Sequence, residues 1–420
     1  MHVNNTFQRN SNLSRVFETV WKNPNFSRID IARKLELYRS TVSNIIGTLV
    51  ESGLITEGDR GVPTEKGGRK PVFLSINQDF GCVIGIEIQL DFYHVAVVAF
   101  DGKTVYENFG RTPVNPVLID KPEELFVYMV DSIIQSIIQD VNINPLRPLA
   151  ISIGIPGIID IDSGVIKHSA PFRLNDFAYA SVLGNRYGIP LFMENDARCC
   201  SWLQLALNKY TDKRDFLCVL ARNYAGNPVL TYPESTGKGI GVGLSITMNG
   251  RIVNGRNYAV GEYISRSWKS YQKGQTGLPE AVLKTIDTVD DSYAEWVKDL
   301  FGTLTMMVPL LEPETIYIHG QPRYRRDLMV EIIEDRVPQF NAVLKNCGAE
   351  LCVMEDDAFG ISKGAALMCI QKLCEVQMLE NKASYSVLKW DELFDLHKRS
   401  IEKSLLTVEN GENIEICEKK

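Results

Sequence analysis

Apolar residues recur at helical spacing in three short segments near the N-terminus. The first set follows the i, i+3, i+4, i+7, i+8 pattern of an amphipathic helix: Leu13, Val16, Phe17, Val20 and Trp21. Pro24 prevents that helix from continuing, and Ser27 with Asp30 has the spacing of a capped helix start. A third stripe precedes Gly53 and consists of Val42, Ile45, Ile46, Leu49 and Val50. Three short helices with a tight link between the second and third predict a helix-turn-helix.

The opposite face of the third predicted helix is polar. Small hydrogen-bonding side chains and one arginine gather toward its N-terminal end: Arg39, Ser40, Thr41, Ser43 and Asn44. This end of a recognition helix meets base edges and phosphates. Residues 54–76 then predict a β-hairpin wing with a Gly-rich tip near 58–69, where Arg69 and Lys70 suit a narrow minor groove. These residues are the predicted DNA contacts, and a winged helix that binds a protein is the alternative.

The charge is divided unevenly along the chain. Residues 1–78 contain 11 Lys and Arg against 7 Asp and Glu, a balance of +4. The remaining residues contain 34 against 45, a balance of −11. A basic module on an acidic body favours contact of the N-terminus with a polyanion, which agrees with DNA as the predicted partner.

The composition is that of a globular protein, with 45% hydrophobic and 23% charged residues. No apolar run is long enough to span a membrane, and the first residues lack an apolar signal core. The nine cysteines include no CxxC pair. We therefore expect reduced thiols and a cytoplasmic location, without membrane contact.

The body of the chain alternates predicted strands and helices. Segments rich in Val and Ile predict strands, and they alternate with amphipathic helices such as residues 122–141 and 291–311. A helix near 176–187 and a strand at 190–193 are also predicted. The order follows two β-β-β-α-β-α halves, which predicts an α/β body of two lobes with a cleft between them.

These features together resemble the ROK family, named for repressors, open reading frames and kinases. The resemblance spans residues 10–375 and implies an α/β chain with an actin/hexokinase-like two-lobed sugar-kinase fold, preceded by a winged helix-turn-helix domain. It divides the chain into five parts. These are a winged helix-turn-helix domain (1–78), a first lobe (79–190), a second lobe (191–356), a helix that returns to the first lobe (357–375) and a C-terminal extension (376–420).

Kinase activity in this family depends on a first phosphate loop of the form D-x-G-G-T. The matching stretch is Glu87-Ile88-Gln89-Leu90-Asp91, in which both glycines have become larger residues and the threonine has become aspartate. Larger side chains prevent backbone amides from approaching a triphosphate, and a carboxylate repels it. We therefore predict that the chain does not bind ATP and is not an enzyme, and no catalytic residue is assigned.

The sugar-binding motifs of the family are better retained. Glu194-Asn195-Asp196-Ala197 matches E-N-D-A, and Gly157 ends the loop that borders the sugar. Glu262 and Ser265 match G-E-x-x-H with serine at the histidine position, and Glu280 ends the following motif. The resemblance implies that these residues bind a sugar-like effector: Gly157, Asn195, Asp196, Glu262, Ser265 and Glu280. Helix capping by Asn195 or Asp196, and helix-end charges for Glu262 and Glu280, are the alternatives.

The family's structural zinc, held by one His and three Cys, is predicted to be absent. Ser265 stands at the histidine position, and Tyr271, Lys273 and Leu278 replace the cysteines. These side chains cannot form a tetrahedral zinc site. We therefore predict no metal and no cofactor.

The C-terminal extension carries one further helical pattern. Trp390, Leu393, Phe394 and His397 fall at i, i+3, i+4 and i+7. This spacing predicts a short helix that packs on another surface, with a dimer partner as one candidate.

The sequence thus predicts a DNA-binding transcriptional regulator, with repression as the expected mode. Its body is expected to sense a sugar or sugar phosphate, and the protein to form a homodimer on a DNA operator. Two alternatives remain, a sugar kinase with an appended DNA-binding domain and a regulator whose body only dimerises or binds a protein. ATP turnover separates the first alternative from a regulator, and sugar-induced changes in melting temperature separate the second.

Overall fold

The computed structural model has a small N-terminal domain followed by a two-lobed α/β body. It describes residues 2–60, 71–223, 240–270, 274–354, 358–375, 385 and 388–407. Among the helices of these residues, none is long and apolar enough to cross a lipid bilayer. The cysteines of the described part of the chain are free thiols, in agreement with the absence of a CxxC pair.

The N-terminal domain consists of three helices and a hairpin: α1 (His2–Lys22), α2 (Arg28–Leu35), α3 (Arg39–Glu51), β1 (Ile55–Arg60) and β2 (Val72–Ile76). The predicted capping box is present, with the Ser27 amide 3.0 Å from Asp30 Oδ2. α2 ends where Glu36 adopts a left-handed conformation, with φ 54°, and α3 begins shortly after it. The helix-turn-helix prediction is confirmed. Most of the predicted wing tip lies outside the described residues.

The first lobe and the helix that leaves it follow in chain order. The elements are β3 (Cys82–Ile88), β4 (Tyr93–Ala99), β5 (Thr104–Gly110), α4 (Pro122–Gln139), β6 (Pro148–Ile155), β7 (Ile158–Asp160), β8 (Val165–Ser169), β9 (Leu174–Phe177), α5 (Tyr179–Leu183), β10 (Leu191–Asn195) and α6 (Asp196–Leu207). The main sheet has the order β10-β6-β3-β4-β5, and β7, β8 and β9 form a separate sheet. Strands β3 and β6 are buried throughout, which explains their continuous apolar sequence.

Two sequence predictions in this lobe differ from the structure. The helix predicted near 176–187 is present but shorter, since α5 covers Tyr179–Leu183 and Phe177 ends strand β9. Phe177 pairs with Ile166 of β8 and is buried, so cross-strand packing outweighs the helical spacing there. The boundary predicted between residues 190 and 191 is wrong because β10 pairs in parallel with β6, with Leu191 opposite Ile151. The first lobe therefore extends to the end of β10.

The second lobe contains a second sheet and a long helix. Its elements are β11 (Phe216–Asn223), β12 (Ile240–Met248), β13 (Arg251–Ile252), α7 (Glu280–Thr285), α8 (Asp290–Leu311), β14 (Thr315–Gly320), α9 (Arg326–Arg336), α10 (Pro338–Cys347) and β15 (Glu350–Val353). The sheet order is β13-β12-β11-β14-β15. α8 packs against α9 and α10 and closes a core separate from that of the first lobe. The helix predicted at 291–311 is confirmed as α8.

Two helices lie between the sheets, so that the layers run first sheet, α11 (Gly360–Lys372), α6 and second sheet. The two helices touch backbone to backbone, because a Cβ at Gly364 would lie 1.9 Å from the Cys199 carbonyl oxygen. On its other side α11 approaches β3 as closely, since a Cβ at Gly85 would lie 1.9 Å from the Ser362 carbonyl oxygen. Any side chain at either glycine would push the layers apart.

The C-terminal extension packs on its own chain. Its helix α12 (Trp390–Glu402) lies between the N-terminal domain and the first lobe. Trp390 donates a hydrogen bond to Ser14 Oγ at 3.1 Å and packs edge-on against Phe17 at 5.4 Å. Farther along, the His397 ring stacks on Phe80 at 4.0 Å, and its Nδ1 lies 2.6 Å from the Phe80 carbonyl oxygen. The predicted helix is confirmed, but α1 and the first lobe, rather than a dimer partner, cover its apolar face.

We expect Trp390→Ala to lower the free energy of unfolding by about 3–5 kcal/mol, because it removes an indole that is 4% exposed and leaves a cavity at this junction. Urea denaturation followed by far-ultraviolet circular dichroism measures the change. The matched control on the same helix is Ile401→Ala, whose side chain belongs to a residue that is 61% exposed. For this control we expect a change below about 0.5 kcal/mol, and equal effects of the two substitutions would contradict the packing of α12.

Candidate functional site

The junction of β10 and α6 carries the first candidate ligand residues. Asn195 caps α6, because its Oδ1 accepts a hydrogen bond from the Arg198 amide at 3.0 Å. Its Nδ2 donates to the Gly157 carbonyl oxygen at 2.9 Å, so the same side chain also ties down the loop after β6. Asp196 is the first residue of α6 and is buried, with its Oδ1 accepting from the Ala197 amide at 2.9 Å. The capping alternative therefore applies to Asn195, and the junction is rigid.

Gly157 lies where the loop after β6 approaches β8. Its φ is 139°, which disfavours any other residue, and a Cβ there would lie 2.4 Å from the His168 carbonyl oxygen. The loop can pass this close to β8 only with glycine at this position. Gly157 therefore contributes its backbone to the site and lies against the backbone of His168, a residue that was not predicted.

A buried ion pair holds this corner of the molecule in place. Arg198 Nε lies 2.8 Å from Glu194 Oε1, and the two side chains are 2% and 1% exposed. The guanidinium also donates to the Ile159 carbonyl oxygen at 3.0 Å and to Asn254 Oδ1 at 3.3 Å. Loss of either partner would leave an uncompensated buried charge. The sequence analysis missed Arg198, because a single arginine inside a helix carries no signal of burial.

Two carboxylates and one arginine meet in the cleft between the lobes. Arg222 Nη2 lies 2.5 Å from Glu87 Oε1, and His94 Nδ1 lies 3.2 Å from Glu87 Oε2. Gln89 Nε2 donates to Glu87 Oε1 at 3.3 Å and to Asp196 Oδ2 at 3.5 Å. The segment 87–91 is thus bonded directly to the start of α6.

The two carboxyl groups have opposite pKa shifts. Burial and the negative charge of Glu87 raise the pKa of Asp196 to about 6, although Arg222 acts against them. Burial also acts to raise the pKa of Glu87, but Arg222 and His94 outweigh it and hold that pKa below its ordinary value. Glu87 is therefore the ionised partner of Arg222, whereas Asp196 exchanges its proton close to neutral pH.

A cavity of about 240 Å³ opens beside this cluster. Residues of both lobes and of α11 line it, and those with basic side chains are His94, Arg222, His319 and Arg323. Burial, followed by the positive charges of Arg222 and Arg323, lowers the pKa of His319 to about 3, so this ring is neutral. Phe92 covers Arg222, with the guanidinium carbon 5.5 Å from the ring centroid. The wall of the cavity is therefore aromatic and basic.

Glu262 faces the Asn195 corner from the second lobe. It follows Gly261, whose φ is 102°, and bridges to Gly243 of β12. The residue as a whole is exposed, but its carboxyl group is partly desolvated, which raises its pKa. The positive charges of His168 and Arg198 act in the opposite direction. His168 and Arg198 are thus common neighbours of Glu262 and of the β10–α6 junction, so the structure brings these residues together.

Ser265 is placed differently from the prediction. It is 4% exposed, and its Oγ lies 3.0 Å from Asp299 Oδ1 and 2.8 Å from Ser267 Oγ. Thr276 Oγ1 donates to Asp299 Oδ2 at 2.6 Å, so one buried carboxylate of α8 accepts from both hydroxyl groups. The Ser265 hydroxyl is engaged within the second lobe, which argues against its predicted role as an effector ligand.

The zinc that the family resemblance implies does not fit this loop. Ser265 is bonded to Asp299, and Leu278 packs against the core of the second lobe. Tyr271 and Lys273 lie outside the described residues. Within the part of the chain that the structure describes, no group of three or more His, Cys, Asp or Glu residues could hold a metal ion. Hydrogen bonds to Asp299 fix this loop instead.

Glu280 lies on an exposed face of the second lobe. It is the first residue of α7, its side chain is 74% exposed, and it pairs with Lys284 at 2.6 Å. The hydrogen bond and charge of Lys284 lower the pKa of Glu280. This placement fits the helix-end alternative and argues against the predicted role of Glu280 as an effector ligand.

The N-terminal end of α3 forms a second candidate surface. Arg39, Ser40 and Asn44 are exposed, and Thr41 and Ser43 lie half-buried beside them. No side chain caps α3, because its N-cap position is occupied by Tyr38, which is 84% exposed. Uncapped amides at the positive end of a helix suit phosphate oxygens. The sequence analysis missed Tyr38, although an aromatic residue directly before a helix start is a usable signal.

Arg28 supports this surface from α2. Its guanidinium donates to the Ser43 carbonyl oxygen at 3.2 Å and pairs with Glu57 of β1 at 2.8 Å. Arg28 thus fixes α3 relative to the wing. Arg69 and Lys70, the predicted wing contacts, lie outside the described residues.

The two candidate sites, the exposed α3 surface and the Asn195–Asp196 corner, thus lie in a winged helix-turn-helix domain joined to a two-lobed α/β body. Residues 9–56 match the winged helix-turn-helix DNA-binding family, and residues 83–263 match the ROK family. The chain therefore carries a ROK family domain behind an N-terminal winged helix-turn-helix, as the sequence predicted.

Several relatives with established names are repressors. A xylose repressor of Staphylococcus xylosus is 29% identical over 266 residues, which cover 62% of this chain and 61% of that protein. A xylose repressor of Caldicellulosiruptor bescii is 28% identical over 194 residues, or 46% and 47% of the two chains. The Escherichia coli K12 transcriptional dual regulator NagC is 25% identical over 253 residues, or 60% and 56%. The chain thus spans about half to three-fifths of the length of these relatives.

A solved structure shares the fold over nearly the whole chain. It is a ROK family transcriptional regulator described as a homologue of the E. coli MLC protein. The TM-score is 0.65 at 16% identity, and the match covers 94% of this chain and 100% of the other. The predicted fold is confirmed.

We expect Asp196→Asn to stabilise the protein at neutral pH. The folded-state pKa of Asp196, about 6, lies above the ordinary value of 3.8, so ionising this carboxyl group costs folding free energy. The cost is on the order of 1–3 kcal/mol above about pH 6 and disappears as the pH falls toward about 4. Thermal unfolding of both proteins across this pH range measures the difference.

Glu87→Gln in the same cluster is the matched control, with the opposite sign. The folded-state pKa of Glu87 is lowered, so its ionised form stabilises the fold at neutral pH, and this contribution is lost as the pH falls through the folded-state pKa. This variant should therefore melt at a lower temperature than the unsubstituted protein at pH 7.5. A lower melting temperature for both variants would contradict the assignment of the raised pKa to Asp196.

Proposed function

We propose that the protein is a DNA-binding transcriptional regulator, acting as a repressor, whose body binds a sugar and thereby controls DNA binding. The observation that carries the proposal is the combination in one chain of an exposed, polar α3 end and a rigid Asn195–Asp196 corner between two lobes. The names of the relatives support the same function.

The proposed effector is a small sugar, with D-xylose as the first candidate because the relatives include xylose repressors. The proposed ligands are Asn195, Asp196, Glu262 and the backbone at Gly157. Carboxylate and amide oxygens there can accept hydrogen bonds from sugar hydroxyls. A sugar phosphate is the second candidate, favoured by Arg323 in the adjoining cavity.

We further propose that the chain does not transfer phosphate. Gln89 is bonded to Glu87 and Asp196, and Arg222 is paired with Glu87, so these polar groups are already engaged. The alternative, a sugar kinase, is favoured by one observation: the pKa of Asp196, about 6, suits a general base. An ATP-turnover assay in the presence of sugars separates the two.

The proposed assembly is a two-fold homodimer that binds a palindromic operator in the cytoplasm, since two-fold proteins match two-fold DNA sites. A body that only dimerises or docks a protein is the remaining alternative. It would leave the melting temperature unchanged when sugars are added.

We expect Arg39→Ala to weaken binding to operator DNA by about 5- to 150-fold, because it removes a contact worth about 1–3 kcal/mol. The probe is a duplex selected from a random library by the unsubstituted protein, and fluorescence anisotropy at fixed salt measures the affinity. The matched control is Arg399→Ala, an exposed arginine of α12 that pairs with Asp395. If both variants lose affinity equally, net charge rather than α3 determines DNA binding.

We expect D-xylose to raise the melting temperature of the unsubstituted protein but not that of Asp196→Asn, because the amide cannot replace a carboxylate as a hydrogen-bond acceptor on both oxygens. Thermal-shift titrations with D-xylose, xylose phosphates and ATP measure the response. The matched control is Glu280→Gln, which should respond like the unsubstituted protein because Glu280 is exposed and paired with Lys284. A rise with ATP would restore the kinase alternative.

A further inference from the structure

One helix connects the candidate effector corner to the N-terminal domain. α6 begins at Asp196 and has 12 residues, which span about 18 Å. Just beyond its last turn, Lys209 Nζ lies 4.4 Å from the ring centroid of Trp21 in α1 and 3.4 Å from the Asp101 carbonyl oxygen. The two ends of α6 therefore contact the two sites that a regulator has to couple.

α6 is built to move as a rigid unit. Its residues from Asp196 to Gln204 are all buried. Its backbone touches that of α11 where Gly364 meets the Cys199 carbonyl oxygen. Contacts between backbones cannot be relieved by rotating side chains, so a shift at one end of α6 reaches the other.

Trp21 is the receiving end of this connection. It is 4% exposed, and its ring lies 3.4 Å from the position that a Cβ at Gly102 would occupy, so the indole is held in a fixed slot. α1 packs against α2 and α3, which means that displacing α1 reorients the recognition helix. Among the described contacts of the N-terminal domain with the body, the hydrogen bond from Trp390 to Ser14 runs through α12 instead.

We propose that α6 transmits effector binding to the DNA-binding domain and that Lys209 is the positioning residue at its output end. This inference rests on the proposed function. An effector at Asn195 and Asp196 favours one position of α6. Because Lys209 makes a cation–π contact with Trp21, the position of α6 changes the relative free energies of the orientations of the N-terminal domain. The described partners of Lys209 include neither the Asn195–Asp196 corner nor the exposed end of α3. Its loss should therefore remove coupling and leave each binding event intact.

The test measures coupling in the full-length protein. The affinity for the selected operator duplex is determined with and without saturating D-xylose, for the unsubstituted protein and for Lys209→Met, Lys209→Arg and the control Lys298→Met. Lys298 is an exposed lysine of α8 that pairs with Glu295. For the unsubstituted protein and the control we expect D-xylose to weaken DNA binding at least about tenfold.

We expect Lys209→Met to bind D-xylose and DNA separately as the unsubstituted protein does, but to show less than about threefold coupling. Lys209→Arg should retain the coupling, because arginine keeps the charge over the indole. Linkage requires the same fold-change when the D-xylose affinity is measured with and without DNA, which provides a second readout.

Two outcomes would overturn the inference, and they differ in what else they remove. If the unsubstituted protein releases DNA with D-xylose and Lys209→Met does so to the same extent, α6 coupling through Lys209 is wrong and the proposed function stands. If the unsubstituted protein shows no D-xylose response at all, the proposed function fails and the inference fails with it.

Discussion

The close approach of three layers at the centre of the molecule constrains everything around it. Gly85 lets α11 touch the backbone of β3, and Gly364 lets α11 touch the backbone of α6. α11 packs on the first sheet and α6 on the second. The two lobes are therefore joined through a contact between helix backbones, with no side chain between them. Movement of one lobe relative to the other therefore has to shift α6 as a whole, and α6 carries the candidate effector residues at its start.

Electrostatics supports the proposal that this cleft does not transfer phosphate. A buried carboxylate needs a partner, and Glu87 has one in Arg222, which is thereby withdrawn from any incoming anion. Gln89 adds donors that bridge Glu87 to Asp196 across the cleft. The charge of Arg222 stabilises ionised Asp196 too weakly to outweigh burial, so the pKa of Asp196 stays raised. A carboxyl group near its protonation point can both donate and accept, which suits neutral hydroxyl groups better than phosphate.

The sequence predicted the elements whose pattern is local and missed those that depend on distant partners. The three N-terminal helices, α8 and α12 each carry a clear apolar stripe, and each was predicted. The helix predicted from residue 176 starts later, because Phe177 pairs with β8 and ends strand β9. At the site, motif matching found Asn195 and Asp196. It missed Arg198, whose role depends on burial, and His168, which the loop at Gly157 approaches only in the folded chain. It also assigned Ser265 by motif position, whereas Asp299, distant in sequence, determines where that hydroxyl points.

The N-terminal domain is held to the body by packing and not by a flexible linker. A single buried cluster runs from Phe17 and Trp21 through Phe80 into the first sheet, and α12 closes it from outside. A domain packed in this way has few orientations available, so a small displacement at its edge moves the whole domain. The first lobe and α12 both contact α1, and Lys209, which follows α6, contacts it at Trp21. The N-terminal domain therefore sits where a shift between the lobes changes its contacts, which is the geometry that control of DNA binding from a distant cleft requires.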